Sequence, residues 1–232
     1  MPEGNFFHYD QAAVDHLARK DKKLAAAMQA IGPVRREVMP DLFQALMHAI
    51  TGQQISMAVQ RTVWRRLCCL LGEVTPQALL AQPQTALQAL GLSARKVDYM
   101  RGIARQVVDG ELDLPGMAAL EDAEVCRRLA ALRGIGVWTA EMLLLFSLQR
   151  PDILSYDDLA IRRGLRMLYR HKEMPRERFE RYRRRFSPYG SLASLYLWAI
   201  AGGALPELDD PAERKKGRSR PAASLKSTVT KD

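Results

Sequence analysis

The chain has 232 residues and a mass of 26.1 kDa, enough for one domain or two small lobes around a buried core. Hydrophobic residues make up 47% and charged residues 26%, and the formal charge is +9, the balance of a soluble globular protein. No apolar run approaches the ~18 residues of a membrane helix and no signal-peptide stretch opens the chain. The expectation is a cytoplasmic protein with no membrane partner. Cys68, Cys69 and Cys126 are too few and too poorly spaced for a disulfide framework, a zinc site or an iron–sulfur cluster. His8, His16, His48 and His171 have no ligand-like spacing either, so no metal ligand is expected.

Apolar residues recur three and four apart along almost every periodic segment, the pattern of amphipathic helices. Short helices are predicted over 12–17 and 24–28. Asp41 is placed to cap a helix with apolar positions at Phe43, Leu46, Met47, Ile50 and Ile55, continuing through Val59, Val63 and Leu67. Helices over 76–80 and 83–90 follow. Then comes a turn at Gly91-Leu92-Ser93, with Ser93 as the N-cap of a helix over 94–108. Glycine, proline and acidic residues mark 109–116 as a loop. Helices resume over 121–132, 138–147, 158–168, 175–186 and 191–200. Sustained strand alternation, a glycine-rich nucleotide loop and internal repeats are absent. The fold class read from this pattern is all-α.

From Pro206 onward apolar anchors thin out, and 206–232 reads as a disordered or weakly ordered basic tail. Residues 214–232 carry seven basic side chains against one acid, so most of the positive excess sits there. The net charge therefore permits a nucleic-acid partner without establishing one.

The most informative stretch is Leu132-Arg133-Gly134-Ile135-Gly136-Val137-Trp138-Thr139-Ala140. Two glycines around one apolar residue make a tight connection between helices, with Ile135 turned into the core. The unpaired amides that open the second helix can hold a phosphate without reading base sequence. A helix C-cap followed by an ordinary turn is the alternative on the glycines alone.

This stretch resembles the helix-hairpin-helix signature of DNA-repair glycosylases and lyases. Ser155-Tyr156-Asp157-Asp158-Leu159-Ala160-Ile161 lies at the family's distance for its catalytic aspartate. Ile50-Thr51-Gly52-Gln53-Gln54-Ile55-Ser56 and the segment from Ser187 to Trp198 look specifically like the DNA-3-methyladenine glycosylase II (alkylbase) branch in its compact form. The resemblance spans about 35–200. It implies two helical lobes flanking a cleft: 35–120 carrying the duplex-inserting residues, and 1–34 plus 121–205 carrying the hairpin and the aspartate.

What the resemblance implies for chemistry follows residue by residue. Asp158 is the catalytic carboxylate, stabilising positive charge on the sugar as the base departs and orienting a water. Asp157 is then structural or capping. A lysine at the position of Trp138 would form a Schiff base in bifunctional relatives. With tryptophan there, the reaction is base removal by water alone, leaving an abasic site. Trp138 and Trp198 wall the base pocket, where aromatic faces favour cationic alkylated purines. Met142 stands one turn beyond Trp138, Tyr189 and Tyr156 are additional pocket residues, and Phe186 is core. Gln54 fills the gap left by the flipped nucleotide, with its neighbour Gln53 retained beside it. Leu92 is an apolar wedge from an exposed turn, with packing into the protein as its competing use. Arg133, Gly134, Gly136 and Thr139 contact DNA at the hairpin, and Arg162 and Arg163 lie near the carboxylate. The family also implies a structural monovalent cation on the hairpin carbonyls; no other cofactor is expected.

The function read from this is a monofunctional glycosylase for alkylated purines such as 3-methyladenine, with 7-methylguanine as a further candidate, in damaged double-stranded DNA, acting as a monomer. The rivals are a glycosylase for deaminated or other damaged bases and a non-catalytic helix-hairpin-helix module. A carboxylate at 158 with tryptophans at 138 and 198 favours catalysis, because binding needs only the hairpin.

Overall fold

Capping side chains delimit most of the helices. The computed structural model describes residues 5–213, within which α1 (Gln11–Lys20) and α2 (Lys22–Ile31) share Asp21 as a joint. Asp21 ends α1, and its Oδ1 accepts from the amides of Lys23 and Leu24 to start α2. Asp41 caps α3 (Leu42–Gly52), Ser56 caps α4 (Met57–Leu71) and Thr75 caps α5 (Pro76–Ala81). After α6 (Gln84–Ala89), Ser93 caps α7 (Ala94–Val108), and a 3-10 turn covers Pro115–Ala119. Then follow α8 (Asp122–Ala130), α9 (Val137–Phe146), α10 (Leu159–Tyr169), α11 (Arg176–Phe186) and α12 (Gly190–Ala201). The fold is all-α. Extended pairing among the described residues is one isolated bridge between Phe6 and Glu37, and no helix among them is long and apolar enough to cross a membrane.

Three expectations change. The helix predicted to run unbroken from Asp41 to Leu67 divides at Gly52, because Gln54 takes a left-handed φ of 57° and Ser56 caps a new helix. Ile55, read as an apolar position of that helix, is consequently exposed. The tail does not begin at 206. Leu205 is buried and the Asp210 side chain is fully buried, accepting from Arg166 Nε at 3.0 Å, with Arg163 also within ion-pair range at 3.8 Å. The positive residues of 214–232 lie outside the described residues.

The apolar side chains gather into two cores. Leu46, Met47, Ile50, Leu67, Met100, Leu129 and Leu144 belong to one, built from α3 through α9. Leu17, Leu24, Leu165, Phe179, Phe186 and Leu197 belong to the other, built from α1, α2 and α10–α12. The division falls between Ile153 and Leu154, so the hairpin helices α8 and α9 pack with α3–α7, whereas the expected lobe boundary lay near 120. Trp198 packs against both cores.

α10 and α12 approach each other at Gly164, where a β-carbon would collide with the Leu197 backbone carbonyl. This close approach lets Trp198 reach the start of α10. Gly164→Ala is therefore expected to destabilise the protein by about 1–3 kcal/mol, the usual cost of overpacking, read as a lower urea midpoint at unchanged slope.

Candidate active site

The turn between α8 and α9 is fixed from inside. Leu132 and Ile135 are buried, the Ile135 amide donates to the Leu132 carbonyl at 3.0 Å, and Gly134 takes a φ of 89°. A β-carbon at Gly134 would collide with the Tyr99 ring, so both the conformation and the space require glycine here. Gly136 is the N-cap of α9 and carries no capping side chain. The first amides of α9 therefore open outward beside the exposed Val137 and Trp138. Such a helix start favours an anion through its dipole and its free donors.

Asp158 is the N-cap of α10. Its Oδ1 accepts from the Ile161 amide at 2.8 Å and from Trp198 Nε1 at 3.1 Å, while Oδ2 accepts from Trp138 Nε1 at 3.0 Å. The carboxylate is 7% exposed. Three donors, none of them an amine, match an acceptor-only carboxylate and lock it in one orientation. The capping role expected of Asp157 thus belongs to Asp158 itself, and Asp157 is exposed.

A cavity of about 810 Å³ is lined by Trp138, whose indole N–H holds this carboxylate; neither Asp158 nor Trp198, expected to wall the base pocket, lines it. Trp138, Met142 and Phe146, four residues apart on one face of α9, form one wall. Ala45, His48, Ala49 and Gly52 of α3 form the opposite wall, with Ser93, Lys96 and Tyr99 of α7 closing one side. Trp198 stands behind this wall, stacked on Phe146 at 5.4 Å and 24°. Both tryptophans reach Asp158, and Trp138 is 46% exposed, which a core side chain is not.

The remaining expected site residues divide. Met142, Thr139, Gly134, Gly136 and Gln54 all line the cavity. Arg133 is exposed over the Tyr99 ring and pairs with Asp98 at 3.3 Å. Gln53 also lines it, yet its Nε2 donates to the Gly134 carbonyl at 2.7 Å, so its amide is engaged within the protein. Leu92 is 4% exposed in the first core and offers no wedge. The left-handed Gly91 turns the chain so that Ser93 and Arg95 face the cavity instead. Tyr189 is not a pocket residue: its ring meets His16 edge-on at 5.1 Å and lines a separate hollow with Phe7 and Tyr9. It lies at the far end of α12 from Trp198, about 13 Å away at 1.5 Å per residue. Tyr156 faces Phe179, with Arg162 and Arg176 over its ring at 4.9 and 5.1 Å. Arg163 is directed to the Ala201 carbonyl, Asp210 and Glu213, rather than to the Asp158 carboxylate.

Several cleft residues escaped sequence reasoning. His48 contacts the Gln60 amide and packs edge-on against Trp64, and burial pushes its pKa down, leaving a neutral ring near pH 7. Burial also lowers the pKa of Lys96, whose Nζ donates to the Thr51 carbonyl at 2.8 Å. The small residues at 45, 49 and 52, on one face of α3, were the available signal for a cleft wall. Phe146 continues the face already marked by Trp138 and Met142. Glu141 of α9 has its pKa raised by burial, but it accepts from Ser155 and does not line the cavity. Among the described residues no group of His, Cys, Asp or Glu could hold a metal ion. For a cation on the hairpin, the Gly134 carbonyl already accepts from Gln53 and the Leu132 carbonyl from Ile135. Those two oxygens are engaged within the protein.

The family model for HhH-GPD superfamily base excision DNA repair proteins matches residues 47–188. DNA-3-methyladenine glycosylase 1 of Schizosaccharomyces pombe is 29% identical over 209 residues, covering 87% of this chain and 91% of the relative. A DNA-3-methyladenine glycosidase structure from Bacillus halodurans superposes with a TM-score of 0.78 at 33% identity, covering 88% of this chain and 95% of that one. The Schizosaccharomyces pombe 3-methyladenine DNA glycosylase in complex with abasic DNA superposes with a TM-score of 0.72 at 29% identity, covering 82% and 96%.

A buried leucine and a surface wedge respond differently to truncation. Leu92→Ala is expected to lower unfolding free energy by about 2–5 kcal/mol, measured by urea denaturation; a DNA wedge on the surface would leave stability nearly unchanged.

Proposed function

Because the chain belongs to the HhH-GPD superfamily of base excision DNA repair proteins, we propose that it is a monofunctional DNA glycosylase releasing 3-methyladenine and 7-methylguanine from duplex DNA. The observation that carries this reading is the Asp158 carboxylate, held by two indole N–H groups, one of them from Trp138, which lines a cavity next to the hairpin. Capping α10 uses only one carboxylate oxygen; the second is held by the exposed Trp138 indole. The relatives named for 3-methyladenine supply the substrate class.

In the proposed reaction the hairpin amides grip a phosphate and the damaged nucleotide turns out of the stack into the cavity. Trp138 stacks on the alkylated base, whose positive charge its ring face attracts. Gln54 enters the space the nucleotide vacates. As the N-glycosidic bond stretches, its electron pair leaves with the base and positive charge grows on the sugar. Asp158 stabilises that charge and orients the water that adds to C1′, taking up the proton this water gives up and passing it to solvent. The products are the free base and an abasic site. Trp138 occupies the place where a lysine would attack the sugar, so strand cleavage through a Schiff base has no nucleophile there. Hairpin, cavity and carboxylate all come from one chain, and the unit proposed to act is a monomer.

Asp158→Asn tests the mechanism with the α10 cap kept, since asparagine caps a helix as well as aspartate, at the cost of the acceptor for the Trp138 indole. Release of 3-methyladenine from methylated duplex DNA, separated chromatographically, is expected to fall at least about 100-fold, with binding to abasic duplex retained. Unchanged base release by this variant would sink the assigned role.

A further inference from the structure

Three segments distant in sequence meet at the mouth of the cleft through polar contacts. Gln53, just after α3, donates Nε2 to the Gly134 carbonyl at 2.7 Å across 81 residues of sequence. Lys96 of α7 donates Nζ to the carbonyl of Thr51, in the last turn of α3, at 2.8 Å. From the same helix, Tyr99 fills the space a side chain at Gly134 would need. Arg133 completes the joint, lying over Tyr99 at 5.6 Å and pairing with Asp98 at 3.3 Å. The end of α3, the face of α7 and the hairpin turn are thereby linked.

Gln54 projects from this joint. It is exposed, lines the cavity and holds a φ of 57°, a backbone conformation that residues with side chains seldom take. Such a conformation persists only where the surroundings over-determine it. Here Lys96 fixes the carbonyl three residues before and Gln53 fixes the residue immediately before. The partner of Gln53 is the hairpin turn itself, the element whose neighbouring amides face a phosphate.

We infer that Gln53 is a positioning residue that couples the hairpin's grip on the phosphate backbone to insertion of Gln54 into the duplex. The inference rests on the proposed reading of Gln54 as the residue that fills the vacated space. Docking of the hairpin sets the position of the Gly134 carbonyl, and the Gln53 amide transmits that position to the backbone of Gln54. Without the strut, Ile135 in the core and Gly136 at the start of α9 still form the phosphate grip. The backbone at Gln54 is then free to relax, so affinity survives and insertion does not. Glutamine suits the task because the contact needs a neutral donor: glutamate loses the proton it would donate, and methionine has similar length with no donor.

The test compares Gln53→Met, Gln53→Glu and Gln54→Ala with the unaltered protein on three substrates. A duplex with 2-aminopurine beside a stable abasic analogue reports insertion by fluorescence and affinity by titration. A duplex with paired 7-methylguanine and a strand with the same base unpaired report single-turnover release. For Gln53→Met, the insertion signal and the paired-duplex rate are expected to fall about tenfold, what one hydrogen bond is typically worth, with affinity and the unpaired rate changing less than about threefold. Gln53→Glu is expected to regain insertion as the pH falls from about 6 to about 4, where its carboxyl takes up a proton and becomes a donor, while Gln53→Met does not. A full signal from Gln53→Met where Gln54→Ala loses it overturns the strut alone. Equal rate losses on paired and unpaired substrates overturn it too, because a positioning role in insertion requires the difference. A full signal from Gln54→Ala overturns the reading of Gln54 and, with it, the inference.

Discussion

Asp158 is a carboxylate with little access to water, and the site is organised around satisfying it. Burying such a group is costly unless its oxygens find donors. The donors come from three elements: the amide of Ile161 in α10, the indole of Trp138 in α9 and the indole of Trp198 in α12. Each must be in place for the others to be useful. The Gly164 contact brings α12 close enough to α10, and the hairpin turn sets the start of α9 beside both. One acidic side chain therefore joins the two cores, since Trp198 packs against each.

The same arrangement separates charge in a useful way. Free helix amides favour a phosphate at the hairpin, while the carboxylate is held to the cavity's Trp138, where the proposed reaction would develop positive charge on the sugar. Between them the cavity wall is aromatic and polarizable, formed by Trp138, Met142 and Phe146. His48 on the facing wall is kept neutral by burial, and Lys96 is held to the Thr51 carbonyl across the cleft from the indoles. The cavity thus presents rings and small side chains, with Lys96 engaged at the Thr51 carbonyl and Arg95 at its edge.

Much of this was legible from local pattern. Helix positions followed from apolar spacing, and the starts of α3, α7 and α10 from Asp41, Ser93 and an acidic pair. The break at Gly52 was hidden because apolar spacing continues through Ile55 and Val59, while the left-handed turn at Gln54 carries no glycine to announce it. The order at 205–210 was hidden because its anchor is an aspartate paired to arginines of α10, and such pairs leave no mark in composition.

The sequence by itself determined the all-helical class, the glycine hairpin, and the choice of aspartate at 158 with tryptophan at 138. Each of these depends on residues within one or two turns of the chain. Only the tertiary structure decided which side chains face the cleft. Leu92 and Tyr189 were plausible from position alone, but a left-handed glycine turns the first inward and helix length carries the second away from Trp198. Gln53 and Gln54, adjacent in sequence, have different surroundings: one amide meets a carbonyl 81 residues away and the other is exposed. Side-chain direction and cross-chain partners are set by how helices pack, and packing depends on residues that no local window contains.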